Sequence, residues 1–234
     1  MEKKKALSLA ISTVLAGSLL LGAASVTAYE AGDFIVRAGA ATVAPDDDSD
    51  ALELDGASLA GTEAEVDNDT QLGLTFTYML TNHIGVGLLA ATPFEHDLKA
   101  DLSALDLGKP DAGSAKQLPP TVTIQYFPMD SASKFQPYAG VGVNYTKFFS
   151  EDVDSELETT LGVTGGDLEL DDSWGWAAQI GFDYAIDDHW LLNASVWYID
   201  LQTDAKFKFD GGTVVEADVD VDPLVYMIGI GYKF

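Results

Sequence analysis

The side chains able to do chemistry are few and scattered. The chain holds three histidines and no cysteine, so disulfides, thiolate metal sites and thiol catalysis are excluded. His83 and His189 fall in short polar segments, and only His96, in Glu95-His96-Asp97, has carboxylates beside it. Hydrolysis or acyl transfer needs a nucleophile within reach of such a base. No serine motif accompanies His96, so we assign no catalytic residue, read the protein as a non-enzyme, and expect no cofactor. The other chemical resource is acid, in APDDDSDALELDG, EAEVDNDT, SEDVDSELE and DLELDD. These carboxylates read as a solvated, aggregation-resistant surface; alternatively they are hard oxygen ligands for Ca²⁺ or Mg²⁺ that bridge to anionic lipopolysaccharide. DDDSD lacks the glycine and terminal glutamate spacing of an EF-hand, and no metal ligand is assigned.

The acid also bounds the class of partner. Residues 1–28 combine a basic start, an apolar run from Ala6 to Leu21 and the small-residue ending Val26-Thr27-Ala28, which predicts a signal peptide cut after Ala28. The run is short for an uncleaved span of ~20 residues. Removing Lys3, Lys4, Lys5 and Glu2 from 12 basic and 38 acidic residues leaves 9 and 37 in residues 29–234. Such a surplus repels phosphate, so nucleic acid is excluded as a partner. The 206 residues that follow suit a single all-β domain, and none of their apolar runs approaches the ~18 residues of a spanning helix.

Period-two alternation supplies the elements. In QLGLTFTYML, Leu72, Leu74, Phe76, Tyr78 and Leu80 share one face, against Gln71, Gly73, Thr75, Thr77 and Met79. IGVGLLAA, TVTIQYF, QPYAGVGVNYTKFF, SWGWAAQIGFDYAI, WLLNASVWYID, DFIVRAGAATV and the closing VYMIGIGYKF alternate likewise, giving eight strands. One face is large, aliphatic and aromatic; the other is glycine, alanine, threonine, glutamine and asparagine. Eight strands enclose little room, so the bulky face cannot fill the interior. It must face lipid, and the expected fold is all-β: an eight-stranded antiparallel transmembrane β-barrel. Short connections (81–83, 129–135, 187–189) alternate with long ones (45–70, 95–118, 150–172, about 204–222), as periplasmic turns and extracellular loops do. Both termini are then periplasmic. Trp174, Trp176 and Tyr78 are expected in an aromatic girdle near one rim, with Trp190, Tyr232 and Phe234 near the other.

The segments EAGDFIVRAGAATVAP, NDTQLGLTFTYML, IGVGLLAATPFEH, LPPTVTIQYF, SKFQPYAGVGVNYTKFF, DSWGWAAQIGFDY and SVWYID, with the aromatic-ended last strand, together resemble the OmpW family of outer-membrane proteins. The resemblance spans nearly all of residues 29–234 and fades chiefly in the loops. It implies a narrow channel for uptake of small hydrophobic molecules in a Gram-negative outer membrane, in contact with lipid and lipopolysaccharide. By parity, Leu89 lies on the lumen face with Gly85, Gly87 and Ala91, and Trp197 with Asn193 and Ser195. These two match the hydrophobic constriction that the resemblance implies, although small barrels also fill their interiors without binding anything.

Pro93 lies beyond one strand and Pro119-Pro120 at the start of the strand that pairs with it. Because proline donates no ladder hydrogen bond, Pro93 and Pro119 are candidates for a lateral exit from lumen to bilayer, or else simply end their strands. In VYMIGIGYKF, Tyr226, Ile228, Ile230, Tyr232 and Phe234 should face lipid, and the last strand should close the barrel against the first. Tyr232 and Phe234 resemble the signal read by the barrel insertion machinery. The competing reading of the whole is a structural or stress-response barrel whose acidic loops bind cations, lipopolysaccharide or a partner.

Overall fold

The computed structural model describes residues 29–46 and 48–234; the signal-peptide segment 1–28 lies outside them. Eight long strands form the wall: β1 (Phe34–Ala44), β2 (Asp69–Met79), β3 (Ile84–Ala91), β4 (Thr121–Tyr126), β5 (Phe135–Val153), β6 (Ser173–Ala185), β7 (Trp190–Ile199) and β8 (Leu224–Lys233). Each pairs antiparallel with its sequence neighbours, and β1 pairs with β8 over ten residue pairs from Ile35↔Lys233 to Ala44↔Leu224. The sheet is closed, so no backbone edge meets lipid. Phe234 is tied in as well, its amide donating to the Phe34 carbonyl at 2.9 Å.

The faces divide as the alternation requires. Trp174 and Ile228 are each 73% exposed, and Ile124, Val141, Ile180 and Phe234 share that outer surface. Thr75, Thr77, Gln125, Gln179, Asn193 and Ser195 are buried within. One rim assignment changes. Tyr78 lies beside Phe34 in register, next to the short turn at 80–83; Phe34 in turn meets the Phe234 ring at 6.3 Å. Tyr78 therefore belongs to the girdle of Trp190, Tyr232 and Phe234, because β2 descends from the first long loop and ends at the periplasmic side.

The long loops are built, not slack. The upper part of β5 pairs with Asp111–Leu118, which pairs with Phe94–Asp101, which pairs with Glu63–Val66. A second sheet joins Asp167–Leu170, Gln202–Lys208, Val214–Asp220 and Glu53–Leu54. Helix α1 (Ser155–Leu161), capped by the Asp154 carboxylate accepting from the Glu156 amide, buries Leu157 between them. The inner faces are apolar and the outer faces acidic, so the loops continue the barrel wall above the membrane.

A barrel this narrow forces backbones together. At the β1–β8 seam Gly39 opposes Gly229, and a Cβ on Gly39 would stand 2.1 Å from the Ile228 carbonyl oxygen. Gly39→Val should therefore hinder closure, and the heat-modifiable folded band on an unboiled gel should fall sharply relative to Ala40→Val, whose side chain faces lipid.

Candidate functional site

The interior changes character along its axis. At the outer end, the two loop sheets face one another across an apolar cavity of about 80 Å³, walled by residues such as Leu52, Leu98, Phe148, Leu157, Phe207 and Val219. Beneath it, Leu89 (5% exposed) and Trp197 (2%) join Ala41, Ala177, Val225 and Met227 in one apolar cluster that is continuous with the cavity wall. Parity placed Leu89 and Trp197 inside, and they are inside; at their level the lumen is packed shut.

Lower still, the lumen turns polar. Arg37 of β1 is 1% exposed and grips Asp183 of β6 with both ends of its fork, Nε to Oδ1 at 2.9 Å and an Nη to Oδ2 at 2.5 Å. The remaining Nη donates to Thr77 Oγ1, which donates on to Gln125 Oε1. Asp183 also accepts from the Tyr29 hydroxyl and from Asn193 Nδ2, and Asn193 Nδ2 lies 3.0 Å from the Tyr138 hydroxyl. The Arg37 guanidinium sits 5.3 Å over the Tyr138 ring. Below the network, Tyr29, Ile35, Met79, Phe127, Tyr138 and Leu191 form a second apolar cluster that fills the periplasmic end. Sequence reasoning did not pick out this plug. Its only sequence signal is one arginine and one aspartate, on separate strands, each on a face otherwise made of small or uncharged side chains.

One ladder of the wall is interrupted at the level of the collar. The β3–β4 ladder runs up to Leu89↔Thr121, and the strands beyond it, Phe94–Asp101 and Asp111–Leu118, pair from Phe94↔Gln117 onward. Between them lie Ala90 to Pro93 on one side and Leu118 to Pro120 on the other, unpaired to each other in the ladder. Three of these residues are prolines and cannot donate. A small apolar cavity of about 10 Å³ lined by Ala41, Leu89, Ala91, Phe94 and Pro119 opens there. Pro119 is buried against it, while Pro93 is exposed on the outside.

His96 is not poised for chemistry. It is 5% exposed, with Nδ1 2.7 Å from the Asp67 carbonyl oxygen and Nε2 2.8 Å from Gln117 Nε2. His83 and His189 bind the Phe127 and Lys233 carbonyls at the periplasmic turns. The acid does not gather into a metal cage either: among the described residues no three His, Asp or Glu side chains converge as ligands. The carboxylates do crowd on the Val214–Asp220 strand, where burial, and then the facing Asp204 with Asp50 and Glu53, push Asp218 above the usual carboxylate range.

The model of the OmpW family matches residues 30–234. The chain is 47% identical over 215 residues to outer membrane protein W of Vibrio cholerae, covering 92% of this chain and 94% of that one. It resembles the crystal structure of the outer membrane protein OprG from Pseudomonas aeruginosa with a TM-score of 0.82 and 49% identity, over 89% of this chain and 99% of that one. A more distant relative, 27% identical over 90% of this chain and 93% of its own length, is the dibenzothiophene metabolism operon protein PahQ of Pseudomonas aeruginosa.

Two outcomes follow from the electrostatics. Asp183→Leu strands a buried guanidinium and should destabilise the barrel by about 3–5 kcal/mol, whereas the double change Arg37→Met with Asp183→Leu should be near neutral; denaturant unfolding in lipid checks both. Because the Asp218 carboxyl is raised in the folded state, its stabilising share is full below the unfolded carboxylate range and is lost as pH rises through the raised value. Amide protection factors of the Gln202–Lys208 and Val214–Asp220 hairpin should thus fall as pH rises from the unfolded carboxylate range through the raised value in the wild type, and change less in Asp218→Asn.

Proposed function

The chain belongs to the OmpW family of outer-membrane proteins, and we propose that within that membrane it takes small hydrophobic molecules from the outside and releases them sideways into the bilayer. One observation carries the reading: an apolar cavity at the outer end stands over a polar, ion-paired plug. An apolar molecule gains by entering the cavity, since removing its surface from water is favourable by about 25 cal/mol per Å². It would lose that gain against Arg37 and Asp183 and would have to break their hydrogen bonds to go further down. The unpaired stretch between Ala90–Pro93 and Leu118–Pro120 offers the alternative route, directly beside Leu89. In this scheme Leu89 and Trp197 are the collar that turns the molecule aside, and Pro93 and Pro119 keep the ladder from closing over the exit. The name of PahQ, from an operon for metabolism of an aromatic heterocycle, agrees with apolar cargo.

Tyr232 and Phe234, at the periplasmic end of the closing strand, are on this reading the part the insertion machinery recognises. Deleting Phe234 should lower the assembled fraction in the outer membrane.

Whole-cell uptake of radiolabelled naphthalene tests the route. Trp197→Ala and Leu89→Ala should alter the uptake rate severalfold. Replacing both Pro93 and Pro119 by alanine should lower it by up to roughly thirtyfold, since each restored ladder hydrogen bond is worth about 1 kcal/mol toward closing the exit. Flux unchanged in all of these variants would remove transport and leave a structural barrel.

A further inference from the structure

The outer cavity carries one polar feature that simple apolar cargo does not use. Five of its wall residues have polar side chains, and four of them are satisfied by the protein. Glu65 accepts from Lys109, Lys99 donates to Asp67, Thr203 donates to the Asp171 carbonyl, and His96 bridges the Asp67 carbonyl and Gln117. The fifth is Gln117, 4% exposed, whose amide nitrogen is engaged with His96 and whose Oε1 has no partner.

Against a neutral His96 imidazole the amide has only one orientation. The Asp67 carbonyl can only accept, so Nδ1 of His96 carries the hydrogen, and Nε2 then accepts from the Gln117 NH₂ group. Gln117 is held in this orientation between Phe94 and Phe148, its register neighbours on the two flanking strands. A buried, fixed acceptor with no donor is unfavourable in the empty protein. It becomes favourable once a donor is delivered.

We propose that Gln117 Oε1 is a polar anchor in the cavity, and that the preferred ligand is an apolar molecule carrying a single hydroxyl or N–H donor, such as a phenol or a fatty alcohol, rather than a pure hydrocarbon. The proposal rests on the cavity being a ligand site, as argued above, and adds the class of ligand. Among the described residues the other buried unpartnered side-chain oxygen, Thr75 Oγ1, lies opposite Leu89 in register, away from the cavity wall, and plays no part in it.

Equilibrium dialysis against protein-loaded nanodiscs, with protein-free nanodiscs subtracting uptake by lipid, tests it with three probes. 2-Naphthol has the donor; 2-methoxynaphthalene keeps the oxygen without it; naphthalene has neither. Wild type should hold 2-naphthol about tenfold more tightly than the other two, the size of effect expected when a buried acceptor is satisfied or left bare. Gln117→Leu, checked for its folded heat-modifiable band, should bring the three probes to near-equal affinity while keeping naphthalene binding. Equal affinities in wild type, a result that needs no variant, would overturn the anchor and leave the cavity as an unselective apolar site. A preference that survives Gln117→Leu would do the same. Absence of binding by all three probes would overturn the anchor and the cavity reading together.

Discussion

The contact on which the interior depends is the forked ion pair between Arg37 and Asp183. Two charges inside a membrane-spanning protein are costly unless their hydrogen-bonding capacity is filled, and here Thr77, Tyr29 and Asn193 complete the filling. In doing so they draw β1, β2, β6, β7 and the segment before β1 onto one point. The lower lumen is thereby closed by a polar network, with an apolar cluster beneath it. A narrow barrel with this centre has no straight apolar passage, whatever its upper end collects.

That constraint gives meaning to features that would otherwise be separate. The loops rise above the membrane as two sheets with apolar inner faces, and the cavity they enclose ends on the collar of Leu89 and Trp197. A stretch of wall whose ladder is interrupted, between Leu89↔Thr121 and Phe94↔Gln117, lies at the same height. Its cause is local and chemical: prolines at 93, 119 and 120 have no amide hydrogen to give. On the proposed reading, cavity, collar and interrupted ladder make one bent path above the plug, and Gln117 stands in the wall of the cavity where that path begins.

Much of this barrel is legible residue by residue. Alternation in QLGLTFTYML or SWGWAAQIGFDYAI places every side chain on its correct face, because a strand's period is two whatever it packs against. Leu89 and Trp197 follow from the same parity. Tyr78 shows where parity stops: it says which face a residue takes but not which rim it reaches, and that requires following the direction of the strand. The loop hairpin was also readable in part, since Val215, Ala217, Val219 and Val221 alternate with Glu216, Asp218 and Asp220. Acid on one face of a strand is compatible with a core on the other.

The sequence by itself determined an exported, cysteine-free, acidic chain of eight amphipathic strands, with bulky residues outward and the last strand closing on the first. These are properties of composition and of neighbours along the chain. Only the tertiary structure decided that Arg37 and Asp183, 146 positions apart, meet, that His96 fixes the amide of Gln117, and that the two loop sheets share an apolar interior. Each of these contacts joins strands whose spacing around the barrel is set by closure and register. No local pattern in the chain encodes the angle at which one lumen side chain meets another across it.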